Sequence, residues 1–109
     1  MNNAGYIQCL NQTLAKYDHA IIDLKHGVPP SVIIDYLWSI KTCSFCIYNR
    51  ANKRGCKQCK VKRLCRGKMT TDMVAFYSGN NREKALASTK KVRRALIARL
   101  ERAWARQRK

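Results

Sequence analysis

Apolar residues recur near the start of the chain at Ile7, Leu10, Leu14, Tyr17, Ile21 and Leu24. Steps of three and four place them in one narrow stripe, which predicts an amphipathic helix from about residue 4 to residue 26. Gly27 supplies a left-handed stop, and Pro29-Pro30 prevents the helix from continuing. A short second helix is expected from Pro30 or Ser31. Its Val32, Ile33, Tyr36, Leu37 and Ile40 surround much of the circumference, so it is expected to be the most buried helix, with either Tyr36 or Trp38 at the rim of the core. After Gly67, Thr70 or Thr71 is a candidate cap for a segment that offers Met69, Met73, Val74, Phe76 and Tyr77. Ser78-Gly-Asn-Asn reads as a turn. The last helix, expected over 81–107, carries Leu86, Thr89, Val92, Leu96, Leu100 and Ala103 in a second stripe, with Ile97 and Trp104 beside it.

Two striped helices of similar length at opposite ends of the chain invite antiparallel packing that buries both stripes. The expected fold is mainly α: a single domain over 1–109, in three to four helices. N-terminal helices fill 4–41, a cysteine region fills 43–67, and the basic C-terminal helix follows. With 109 residues the chain can bury only a modest core, so a metal staple inserted as a cysteine knuckle would help it.

The cysteines motivate that staple. Five of the six fall between Cys43 and Cys65, as Cys43-Ser-Phe-Cys46, then Cys56-Lys-Gln-Cys59, then Cys65. A C-x2-C pair lets two thiolates reach one metal, and two pairs supply a tetrahedral set. Zinc is the expected ion, bound by four of Cys43, Cys46, Cys56, Cys59 and Cys65, with an iron–sulfur cluster as the alternative. Cys9 reads as an ordinary small buried residue. His19 and His26 lack a second donor at ligand spacing, and His26 suits the C-terminal end of the first helix.

Charge changes the picture from scaffold to partner. The net charge is +17, but residues 1–40 sum to −1, whereas 41–68 hold ten Lys or Arg and no carboxylate. Residues 81–109 hold eleven more against Glu83 and Glu101. One-signed blocks leave repulsion that a polyanion would relieve, and nucleic acid is the default polyanion. The candidate phosphate ligands are Arg50, Lys53, Arg54, Lys57, Lys60, Lys62, Arg63 and Arg66 on loops of the cysteine region, with Lys90, Lys91, Arg93, Arg94, Arg99, Arg102 and Arg106 on the last helix. Phe45 and Tyr48 are candidates to stack on bases. An acidic protein surface is the competing partner.

The spacing from Cys43 to Cys65, set after one helix and before an amphipathic last helix, resembles small cysteine-rich proteins common in bacteriophage genomes, mostly without assigned function. Many of those have Pro-Leu after the second pair, where this chain has Lys60-Val61, and this chain is more basic. The resemblance implies a metal-binding accessory or regulatory protein acting in a bacterial host cytoplasm. The absence of an apolar run of membrane-spanning length, and of a secretory pattern at Met1-Asn-Asn-Ala-Gly-Tyr, agrees with that expectation. Six scattered carboxylates and the lack of a nucleophile elbow or phosphate-binding glycine loop argue against an enzyme.

Overall fold

A computed structural model describes residues 1–39, 43–53 and 58–108. Six helices form among them: α1 Asn3–Lys25, α2 Pro30–Leu37, α3 Ser44–Ala51, α4 Lys62–Cys65, α5 Lys68–Ser78 and α6 Arg82–Gln107. The radius of gyration is 14.0 Å, close to the ~13 Å of a compact chain this long. None of these helices is long and apolar enough to cross a membrane.

The two long helices are built from the stripes that the periodicity predicts. On α1, Ile7, Leu10, Leu14, Tyr17 and Leu24 are buried, and on α6 Thr89, Val92, Leu96 and Ala103 are buried. Asn2 starts α1 by accepting a hydrogen bond from the Gly5 amide, and Asn81 starts α6 by accepting one from Lys84. Gly27, at φ 89°, ends α1 in the left-handed region.

The pairing is antiparallel, as bonds along its length show. Asn3 Nδ2 donates to the Ala103 carbonyl and to Gln107 Oε1, the Arg93 guanidinium meets Asp18, and Arg82 reaches the carbonyls at the end of α1. Helix α5 packs on α6, and α2 lies against α1 and α5. Asn80, in the turn before α6, accepts a bond from the Ser31 amide and so supplies a first-turn partner that the prolines at the start of α2 cannot. In the core, Tyr77 donates to Thr89, whose hydroxyl donates to the Ala85 carbonyl, so this polar pair is satisfied inside the apolar packing.

Three expectations need correction. Helix α2 is not buried all round: Ile33 and Leu37 are inside, but Val32 is 55% exposed, while Trp38, just past the helix, is the member of the Tyr36–Trp38 pair at the rim. The main neighbours of α2 among the described residues are α1 and α5, and Val32 lies on the side away from the core despite being apolar. Helix α5 begins at Lys68 with Gly67 in the cap position, and Thr70 is buried instead of capping. A Cβ at Gly67 would stand 2.6 Å from the Arg63 carbonyl oxygen, so the tight passage from α4 to α5 requires glycine.

The third correction concerns the cysteine region. Its sequence reads as loops, yet its described part folds into α3 and the single turn α4. Cys43 takes the cap position of α3 and Cys46 its first turn, so this C-x2-C pair opens a helix instead of forming a loop turn. Phe45 and Asn49, one turn apart, are the buried side of α3, and Phe45 meets Tyr6 of α1 edge to face with ring centres 6.0 Å apart.

Candidate nucleic-acid interface and cysteine region

Helix α3 docks on α1 through Phe45 and through Ser44, whose hydroxyl donates to Gln12 Oε1. From there the described cysteines divide between two hollows. Cys43, Cys46 and Cys65 line an apolar cavity of about 420 Å³, together with Lys16 and Tyr17 of α1 and Val92 and Leu96 of α6. Cys59 instead lines a polar cleft of about 340 Å³ with Lys60, Lys62, Arg63 and Arg99. Val61, between Lys60 and Lys62, lines the apolar cavity while both its neighbours line the cleft.

Among the described residues, no three of His, Cys, Asp and Glu are grouped closely enough to hold a metal ion. Cys56, Arg54 and Lys57 lie outside the described residues. A tetrahedral zinc set therefore does not fit the described thiols by themselves.

The thiols still feel one another. Burial raises the Cys9 pKa, and the negative forms of Cys43 and Cys59 raise it further. Cys9 is thus electrostatically part of the cysteine region despite its distance in sequence. Burial lowers the Lys16 pKa, while Cys43 and Cys46 act in the opposite sense. Tyr17 is raised by burial first, then by Cys65 and Cys43. Neither Cys9 nor Lys16 was a site candidate, although a signal existed: Cys9, Thr13 and Lys16 step by four and three along α1, beside the apolar stripe and toward the docked α3.

The polar cleft joins the two basic blocks. Lys60, Lys62 and Arg63 come from the turn before α4 and from α4 itself, whereas Arg99 comes from the middle of α6. Arg99 reaches toward the Lys60 carbonyl at 3.5 Å, and the Lys60 ammonium lies 5.7 Å from the centre of the Tyr6 ring. No carboxylate is among the described residues lining this cleft. Four cations in one hollow can hold phosphate oxygens without reading a base.

The other candidates fall in different places. Arg50, Lys53, Arg66, Lys90, Lys91, Arg94, Arg102 and Arg106 are exposed. Arg93 is half-buried and bonded to Asp18, so its charge is answered within the molecule. Arg82 hydrogen-bonds the Leu24, Gly27 and Val28 carbonyls and works as a cap on α1. Phe45 is 1% exposed, and this overturns its assignment as a stacking residue, because packing on Tyr6 leaves no ring face for a base. Tyr48 is half-buried.

Comparison with protein-family models, with curated proteins and with solved structures found no match to this chain.

Proposed function

We propose that this protein is a basic accessory or regulatory factor that binds DNA or RNA mainly through phosphates. The observation that carries the reading is the convergence of Lys60, Lys62, Arg63 and Arg99 on one cleft, with cations from both basic blocks and no lining carboxylate among the described residues. Exposed Lys90, Lys91, Arg94, Arg102 and Arg106 extend the positive field along α6. Zinc held by four of Cys43, Cys46, Cys56, Cys59 and Cys65 belongs to the same proposal. Its support is the paired spacing of Cys43 with Cys46 and of Cys56 with Cys59. The metal would be scaffold, and the cations would carry recognition.

Affinity for a generic duplex and for a single strand, measured against salt, tests the reading. Log K should fall with log salt by about 0.9 per phosphate neutralised on duplex and about 0.7 on single strands. Glutamine at all four cleft positions should flatten the duplex slope by about 3 to 4. A flat plot for the native chain would sink phosphate binding. A stoichiometric acidic protein retained from nuclease-treated lysate would point to the competing partner instead. Elemental analysis of untagged protein checks the scaffold, with about one zinc per chain expected.

A further inference from the structure

The apolar cavity beside the cysteines is unused by the phosphate-binding reading. Its volume, about 420 Å³, falls within the roughly 300–1,000 Å³ of small-molecule sites, whose walls are mostly apolar with a few placed polar groups. Leu37, Phe45, Val61, Leu64, Val92 and Leu96 provide such walls, drawn from five different segments of the chain.

Two features make the cavity more than a packing defect. Thr70 lines it and is 2% exposed, and its Oγ1 finds no hydrogen-bond partner among the described residues. A buried hydroxyl left unpaired costs free energy that a ligand oxygen would recover. In addition, Lys16 and Arg66 line the same cavity, and no carboxylate does so among the described residues.

We propose that this cavity binds a small amphiphile with an anionic head, of the class of a free medium-chain carboxylate. The carboxylate lies between Lys16 and Arg66 and accepts a hydrogen bond from Thr70, and the alkyl chain lies along Val61, Leu64 and Leu96. The inference does not rest on nucleic-acid binding.

The test titrates the full chain, with Trp104→Phe as background, using decanoate, decanol and decylamine at concentrations below micelle formation. Trp38, on the cavity wall, reports by fluorescence, and the thermal midpoint reports by stabilisation. Decanoate should saturate one site and raise the midpoint, with decanol at least about tenfold weaker because it lacks the charge-assisted contact. Decylamine should produce no saturable change.

Lys16→Met should weaken decanoate at least about tenfold, and Thr70→Val by about threefold to tenfold. Thr70→Val removes an unpartnered hydroxyl while keeping shape, so it should fold at least as well as the native chain and keep the test valid if Lys16→Met is unstable. The proposal is overturned by the lack of a saturable decanoate response, by equal binding of decylamine, or by decanoate affinity unchanged in Thr70→Val. A response to phosphatidylglycerol vesicles without one to decanoate overturns it as well, since that identifies a membrane surface as the anionic partner.

Discussion

The cysteine region and α6 carry positive charge at nearly equal density, ten Lys or Arg over 41–68 and eleven over 81–109, yet they are held in place by different means. Helix α6 is fixed by a long apolar stripe and by cations turned to structural use: Arg82 closes the end of α1 and Arg93 pairs with Asp18. The cysteine region has short helices and half-buried thiols, and its most deeply buried side chain among the described residues is Phe45, with Val61 next. Its cations at Lys60, Lys62 and Arg63 are gathered in a cleft instead of being matched to carboxylates. The same residue types thus serve folding at Arg82 and Arg93, whereas those of the cleft and the outer face of α6 form no ion pair with a carboxylate among the described residues. Position relative to the apolar stripe decides which.

Removing the Phe45 ring is the largest test of that contrast. Phe45→Ala should cost about 3–5 kcal/mol in urea or thermal denaturation, as a fully buried phenylalanine does when a cavity is left behind. The loss would equal that of a core residue on a long helix, because α3 has little else buried on α1. A cost below about 1 kcal/mol would mean that the cysteine region only drapes over the helices, and would restore Phe45 as a candidate for base stacking.

The long helices were legible because their stripes repeat over about five turns, enough for a three-and-four spacing to stand out from chance. The stop at Gly27 was legible for the same local reason, whereas the cap expected at Thr70 or Thr71 falls instead to Gly67. Helices α3 and α4 were not, since eight and four residues are too few to display a period and too few to be stable without packing. Missing α3 as a helix also misplaced Phe45, whose direction depends on it. The cleft drew on cations that were all legible as candidates, but the meeting of Arg99 with Lys60, Lys62 and Arg63 arises only when α6 folds back across the chain. Arg82 shows the limit from the other side: its charge was visible, whereas the three carbonyls it serves are more than fifty residues earlier.

Arg82 therefore supplies the next test. Arg82→Met keeps much of the side chain's apolar stem and removes the guanidinium bonds to Leu24, Gly27 and Val28. Stability should fall by about 1–2 kcal/mol, the range for charged hydrogen bonds at a partly exposed helix C-terminus. The slope of nucleic-acid affinity against salt should not change, because this cation belongs to the fold. A slope reduced by about 0.9 with stability intact would reverse the assignment and place Arg82 among the phosphate ligands.

The smallest effect at neutral pH concerns the junction of α1 and α2, where the Tyr36 hydroxyl donates to Asp23 Oδ2 at 2.9 Å. Burial first, then that hydrogen bond and the Asp23 charge, raise the Tyr36 pKa well above its ordinary 10.0. Between the ordinary and the raised value the folded chain holds more protons than the unfolded chain, so stability falls as pH rises through that window. The contribution is present in full below about pH 10. Tyr36→Phe should cost about 0.5–1.5 kcal/mol at neutral pH and should show a shallower loss of stability above pH 10, because phenylalanine does not titrate. Tyr77, also raised by burial, keeps part of the alkaline loss in the variant. Denaturation midpoints from pH 7 to pH 11 distinguish the cases: curves that stay parallel throughout would remove the Tyr36 proton from the hold between α1 and α2, leaving that junction to apolar packing around Ile33 and Leu37.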